Sequence, residues 1–244
     1  RQYYQRLKES AITDVQTGFL NRTGFNESFH IALETARYNK KNAALLILDI
    51  DNLQSINDSR GYTEGDSLIQ GVCEVLKQFE NHGVQIFRYG DDEFALIINN
   101  FDTEDSLANF IDCIYESFQI KQISVSGGIS FFPSNSELSE ELIRFADMAL
   151  QYAKKNGKNN FTYFEPDMQR LFIQKLTLQS KMTTALLENS FIQYYQPQFD
   201  INTGKLRGFE ALIRWTDAEL GNIPPSIFIP IAEETGLIIP IGRW

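Results

Sequence analysis

Apolar residues recur along this chain with two periods, and each change of period marks an element. Between Arg22 and Asn39 the stripe Phe25, Phe29, Leu33 and Ala36 returns every three or four residues, which predicts a helix buried on one side. Ala43 to Ile50 (AALLILDI) is apolar almost throughout, so it reads as a strand covered on both faces. Helical spacing returns over Gly65 to Glu80 with Leu68, Val72, Val75, Leu76 and Phe79. Two β-rich runs, Val84 to Tyr89 and Glu93 to Ile98, flank Gly90, Asp91 and Asp92. That is a tight hairpin signal, with Gly90 expected at the positive-φ place of a two-residue loop. Leu107 to Phe118 reads as helix, Ile123 to Phe131 as strand, and Leu138 to Asn156 as a helix closed by Gly157.

The rhythm changes after Phe164. Glu165 to Asn189 reads as one long helix with Pro166 at its start. Phe191 to Phe199 and Lys205 to Trp215 follow as strands around Asn202–Thr203–Gly204, and Pro224–Pro225 opens a short helix. Two strands and a helix are too few to close a core alone. At the other end, RQYYQRLKESAITDVQTG starts without a cap, so 1–13, with Tyr3 and Tyr4, reads as a connector helix continuing from an upstream region. The expected organisation is a connector at 1–13, a domain at 14–165, a linking helix at 166–189 and a further segment at 190–244.

Composition narrows the function classes. At 244 residues, 43 % hydrophobic and 22 % charged, the chain is globular rather than disordered. A formal charge of −10 argues against a nucleic-acid polymer as partner, because that affinity comes from Lys and Arg on phosphates. A small phosphorylated ligand held with a cation is still allowed. Cys73 and Cys113 both sit in helical patterns, which excludes a disulfide framework and points to a reducing, cytoplasmic compartment. No apolar run approaches the roughly 20 residues that cross a bilayer, so no membrane span is expected in this piece. An anchor elsewhere in a longer parent is left open.

The candidate chemistry is acidic. Asp49 and Asp51 end the apolar strand two residues apart, on one side of the sheet. Asp91, Asp92 and Glu93 gather at the hairpin tip. Carboxylates beside an apolar strand must be solvated, paired or bound to a cation. If the two strands are neighbours, Asp49 and Asp92 suit Mg²⁺ with substrate phosphates completing its shell. Taken singly, either motif is more often a set of solvated loop acids; the two together, each abutting an apolar strand, point to metal-assisted nucleotide chemistry. The YGDD run resembles the hairpin of palm-type polymerases, but the acidic chain lacks a basic template channel.

The motifs in order resemble one family. DVQTGFLNRTGF (Asp14 to Phe25), DIDNLQSIND (Asp49 to Asp58), GYTEGD (Gly61 to Asp66), RYGDDEF (Arg88 to Phe94), SVSGGIS (Ser124 to Ser130) and ADMALQYAKKNGKN (Ala146 to Asn159) resemble the GGDEF domain of diguanylate cyclases. The resemblance implies an α/β (α+β), palm-like domain: a central, mostly antiparallel sheet flanked by helices, with the signature hairpin at its edge. It implies Asp49, Asp92 and the Ile50 carbonyl as ligands of Mg²⁺ or Mn²⁺, and Glu93 as the acid that helps activate the ribose hydroxyl. Asn57 and Asp66 resemble the guanine-reading pair; by themselves they also fit a helix cap and a first-turn acid. Lys154 and Lys158 resemble the phosphate-holding cations, and Gly90, Asp91 and Gln54 fall at nucleotide-facing positions. GTP, cyclic di-GMP or both are the implied ligands, with a homodimer if the domain is catalytic.

Three departures matter. The signature's second glycine is Asp91, the lysine expected in DxDxFK is Gln54, and Asn81–His82–Gly83–Val84 replaces the family's inhibitory RxxD. The first two change the site by two charge units. At about 5 Å and an effective dielectric near 20, each unit is worth up to about 3 kcal/mol before screening. The resulting expectation is a domain that keeps its fold and guanine pocket but has little or no cyclase activity, and that regulates a neighbour. A working cyclase and a structural module with an empty pocket remain the alternatives. His30 and His82 have no ligand-spaced companions.

The end of the chain, FIQYYQPQFDINTGKLRGFEALIRW with PPSIFIPIAEETGLIIPIGRW, resembles the opening of an EAL domain, the cyclic di-GMP phosphodiesterase family. That implies a TIM-type barrel whose remainder lies outside this sequence, as would an upstream sensor. Glu210 matches a catalytic metal ligand, and Gln196 and Arg214 match positions that contact the dinucleotide. With only the opening in hand, hydrolysis is expected of an intact parent rather than of this chain.

Overall fold

The computed structural model describes residues 11–243, in two compact units that divide between Gln169 and Arg170. Most of the connector expected over 1–13, including Tyr3 and Tyr4, lies outside the described residues.

The first unit is built on β2 (Asn42–Ile50), whose last eight residues are all buried. Its alternate side chains serve two cores. Ala44, Leu46, Leu48 and Ile50 pack with Val72, Cys73, Val75 and Leu76 of α3 (Tyr62–Lys77) and Leu107, Ile111, Ile114 and Phe118 of α4 (Glu104–Ile120). Ala43, Leu45 and Ile47 pack with Phe25, Phe29, Leu33 and Ala36 of α1 (Arg22–Asn39) and Leu142, Ala146 and Leu150 of α5 (Ser139–Lys155). Cover on both faces is why an antiparallel strand here has no polar alternation.

The remaining strands are β1 (Leu20–Asn21), β3 (Val84–Arg88), β4 (Glu93–Phe101), β5 (Val125–Phe132) and β6 (Phe161–Tyr163). They join β2 in the order β1-β3-β4-β2-β5-β6. The four inner strands are antiparallel; β1 on β3 and β6 on β5 are parallel. The β3–β4 hairpin is therefore not the sheet edge, since the two-residue β1 lies outside it. A short helix, α2 (Leu53–Arg60), precedes α3; with only Leu53 buried it has no apolar stripe to announce it. Glu80, expected at the end of α3, belongs instead to a separate 3₁₀ turn.

The hairpin loop also differs from the expected two-residue turn. Pairing stops at Arg88 with Phe94, and the Tyr89 and Gly90 N–H groups both donate to the Glu93 carbonyl, at 2.8 and 3.1 Å. Gly90 does not have positive φ. A methyl group there would lie 3.0 Å from Glu93 Oε2, so the glycine makes room for that carboxylate.

In the second unit, β7 (Phe191–Phe199) and β8 (Leu206–Asp217) pair antiparallel, and β8 also pairs with the short β9 (Gly221–Ile223). Asp200 closes the β7–β8 turn by accepting from the Asn202 and Thr203 N–H groups. One sheet face does close a small core: Phe191, Trp215 and Ile223 pack with Met182 and Ala185 of α6 (Pro166–Glu188), Phe228 and Ala232 of α7 (Pro225–Glu234), and Ile241 of α8 (Ile238–Arg243). Lys181 adds an ion pair to Asp217 at 2.9 Å.

Gly128 on β5 lets the sheet lie hard against α5, for a side chain there would run into the Ala146 carbonyl and Leu150 amide. Neither backbone group can yield. Gly128→Ala is expected to destabilise the first unit by about 3 kcal/mol or more, the upper end for an overpacked core, measured by denaturant unfolding.

Candidate nucleotide and metal site

The polar site forms where β2 ends. Asp49 stands opposite Glu93 on β4 and Ser126 on β5, and the Ile50 N–H donates to the Asp92 carbonyl at 2.9 Å. The first-core strand and the hairpin tip are thus neighbours. Asp49 is 5 % exposed and ion-paired with Lys154 of α5 at 2.6 Å. Burial pushes its carboxyl up to about 6; Lys154 pulls the other way, while Asp92 and Glu93 add to the rise. Glu93 is also raised, by burial first and then by Asp147 and Asp92.

Asp147 was missed in the sequence, although seven residues, two helical turns, place it on the Lys154 face of α5. Burial raises its carboxyl, and Arg22 opposes the shift. Arg22 is positioned by its neighbour Asn21, whose side chain caps α1 by accepting from the Thr23 and Gly24 N–H groups at 3.0 and 3.2 Å. Its guanidinium lies 4.8 Å from the centre of the Tyr89 ring.

Asp51 has a different task from Asp49. Its carboxylate accepts from Ser124 Oγ and Ser126 Oγ, both at 2.7 Å, and from the Asn159 N–H at 2.9 Å. Those three donors occupy it fully enough to make it an anchor. Beside it, Lys158 donates to Asn52 Oδ1 at 2.6 Å. Lys158, Asn159 and Asn52 all have left-handed backbone, at φ 61°, 46° and 61°.

The structure brings Asn57 and Asp66 together through the α2–α3 junction. Asn57 Oδ1 is buried against Gly65 and has no hydrogen-bond partner among the described residues. The side chain caps neither helix: Gly61 occupies the N-cap of α3, and its N–H bonds the Asn57 main-chain carbonyl. Asp66 Oδ1 accepts from Gln16 Nε2 at 2.6 Å, another residue that sequence reasoning left without a role. Gln54 is exposed and lines an open depression of about 510 Å³ with Asn52, Ser55, Asp58 and Ser59.

At the hairpin tip the Asp91 carbonyl accepts from Arg88, whose guanidinium lies 4.5 Å from the Phe94 ring centre. Burial lowers the Arg88 pKa, and its Nη1 has no partner among the described residues. Asp91 itself is exposed and has no left-handed strain.

Asp49 at the end of β2 and Asp92 in the hairpin loop before β4 offer hard oxygen donors of the kind a divalent cation takes, and among the described residues no group of three or more His, Cys, Asp and Glu side chains is placed to hold a metal ion. Mg²⁺ takes few protein carboxylates and fills its octahedron with water and phosphate.

In the second unit Gln196 and Glu210 are cross-strand partners, and Arg214 faces Ile192. These positions share the sheet face opposite Phe191 and Trp215, away from the helical core. The Arg214 guanidinium lies 5.6 Å from the Tyr194 ring centre.

Two outcomes follow from these environments. Asp51→Ala strands three donors and is expected to cost about 3 kcal/mol or more in denaturant unfolding. Because the folded Asp49 pKa lies above its ordinary 3.8, the folded state binds more protons than the unfolded one between 3.8 and about 6. Stability without added metal should therefore fall as pH rises through that window, and Asp49→Asn should flatten the fall.

Comparison with known proteins places the geometry. Residues 11–160 match the family described as diguanylate cyclase, GGDEF domain, and residues 179–244 match the EAL domain. The cyclic di-GMP phosphodiesterase PdeR of Escherichia coli (strain K12) is 34 % identical over all of this chain, which spans 38 % of that protein. The bifunctional diguanylate cyclase/cyclic di-GMP phosphodiesterase MucR of Pseudomonas aeruginosa is 32 % identical over 98 % of the chain, which spans 36 % of it. Among solved structures, the coiled coil and GGDEF domain of DgcB from Caulobacter crescentus, in complex with c-di-GMP, aligns with a TM-score of 0.59 at 25 % identity, covering 67 % of this chain and 91 % of that one. The S helix-GGDEF-EAL structure of Vibrio cholerae LapD shares the fold, with a TM-score of 0.59 at 18 % identity over 96 % of this chain and 56 % of that one. Motif order, sheet topology and family match agree: the chain belongs to the diguanylate cyclase GGDEF family, its GGDEF domain followed by EAL-domain sequence.

Proposed function

We propose that the chain is part of a cyclic di-GMP signalling protein whose GGDEF domain, at 14–165, binds a guanine nucleotide with Mg²⁺ or Mn²⁺. The domain makes little or no cyclic di-GMP itself and biases an attached EAL phosphodiesterase domain. In this reading 166–189 links the two, and 190–244 begins the EAL domain. Asp49, Asp92 and the Ile50 carbonyl hold the metal, which supplies neutralising charge to the nucleotide phosphates. Asn57 and Asp66 read the base. Lys154 and Lys158 meet the phosphates, and Glu93 stands nearest the reacting hydroxyl.

The observation that carries this reading is the balance of charge around β2. Asp49, Asp92, Glu93 and Asp147 are linked electrostatically and opposed by Lys154 and Arg22. Asp91 adds an anion at the hairpin tip and Gln54 supplies no cation. A triphosphate can approach such a site only with a divalent cation. A change in nucleotide occupancy then shifts the chain between arrangements that bind it unequally, which is sufficient for regulation.

Weak cyclase activity of a homodimer is the second reading, favoured by the ordinary backbone of Asp91, which leaves the hairpin unstrained. In the second unit, Glu210 as metal ligand and Gln196 and Arg214 as dinucleotide contacts share a sheet face, in keeping with a cyclic di-GMP phosphodiesterase in a longer protein.

The test is purified chain with GTP and Mg²⁺ or Mn²⁺, product read by chromatography. Cyclic di-GMP is expected at the level of an Asp49→Ala control, with saturable, metal-dependent GTP binding. Asp91→Gly with Gln54→Lys should raise formation at least about tenfold, since two charge units change. An inert double variant would refute the electrostatic account, and GTP binding without metal would refute the site.

A further inference from the structure

Residue 16 is held at the tip of a built turn. Asp14 Oδ1 accepts from the Thr17 N–H and Oγ at 2.9 and 2.6 Å, and the Gly18 N–H donates to the Asp14 carbonyl at 2.9 Å. Thr17 and Phe19 are buried, so the turn is rooted in the core while Gln16 faces outward.

Helix α3 then grips Gln16 twice. Gln70 Nε2 donates to its main-chain carbonyl at 3.1 Å, and its own Nε2 donates to Asp66 Oδ1 at 2.6 Å. Asp66 and Gln70 are four residues apart and so share one helix face. The grip fixes which group meets the carboxylate: a primary amide presenting N–H donors.

Guanine's base edge offers Asp66 the same kind of donors, N1–H and the exocyclic amine. We infer that Gln16 is a specificity-determining residue whose carboxamide stands in for the base edge at Asp66, so that a guanine nucleotide must displace it. This rests on the reading of Asn57 and Asp66 as the base-reading pair. The second member is unsatisfied in the free protein: Asn57 Oδ1 lies buried against Gly65, the residue preceding Asp66, with no hydrogen-bond partner among the described residues. The free protein therefore presents a base-reading carboxylate with one oxygen already in use. Affinity for guanine is lowered by one charge-assisted hydrogen bond, and a base lacking adjacent N–H donors gains nothing from the displacement.

The experiment titrates GTP and, separately, ATP into the full chain with Mg²⁺ by calorimetry. It compares the wild type with Gln16→Met, which keeps the side-chain length without a donor, and with Gln16→Met/Asp66→Ala. Gln16→Met should bind GTP about tenfold tighter, the size of one hydrogen bond to a charged group. ATP should be unaffected, and Asp66→Ala should abolish the gain. Without nucleotide, the Gln16 side-chain amide resonance should move on Asp66→Ala; in the wild type it should move toward that position as GTP is added. Unchanged or weaker GTP binding by Gln16→Met, or equal tightening of ATP, overturns the inference. If no variant binds GTP while the amide still responds to Asp66→Ala, the nucleotide reading itself has failed and Gln16 is a structural clasp. If the amide ignores Asp66→Ala, the contact is wrong whatever the nucleotide does.

Discussion

A carboxylate buried at the mouth of the central strand has to be satisfied, and the site is arranged around how that is done. Asp51 takes two serine hydroxyls from the β5 side and one main-chain N–H from the turn after α5. The N–H it captures belongs to a run of two left-handed residues, Lys158 and Asn159, a conformation that costs side-chain-bearing residues energy and persists only where surroundings enforce it. With the turn so fixed, Lys158 reaches across to Asn52, itself left-handed. The end of β2, the start of β5 and the turn after α5 are thus tied into one rim. Asp49, two residues earlier, is left to face Lys154 and the hairpin.

That separation explains how the chain tolerates its departures from the family pattern. The hairpin is fixed by main-chain bonds to Glu93, by the Ile50 bond to Asp92 and by Arg88 gripping the Asp91 carbonyl. None of these involves the side chain at 91. The fold is therefore indifferent to the residue there, while the electrostatics are not. The main chain of the loop holds it in place, and the side chain at 91 adds only its charge.

Much of this was legible in the sequence. AALLILDI could only be a doubly covered strand, and the three-four stripes of α1, α3 and α4 were clear because each buries a continuous apolar face. The two-residue β1, the three-residue β9 and helix α2 were not, since none carries enough apolar pattern to show a period. In the site, Asp49, Asp92 and Glu93 stood out as acids at strand ends. Asp147 and Gln16 did not, because their importance depends on what faces them: Arg22 and Glu93 in one case, Asp66 in the other. Gly90 misled in a different way; glycine signals turn geometry in a sequence, and here it makes space for a carboxylate.

The margins of the six-stranded sheet bear on association. β1 contributes two residues and β6 three, each laid parallel along a longer neighbour. Strands so short present few unpaired backbone groups of their own, and they cover Phe87 and Arg88 of β3 and Gly127 to Ile129 of β5. The long strands with the strongest tendency to pair with copies of themselves, β2 and β4, are enclosed on both sides. Both of those strands are thereby closed to pairing with a second chain for as long as the sheet is intact.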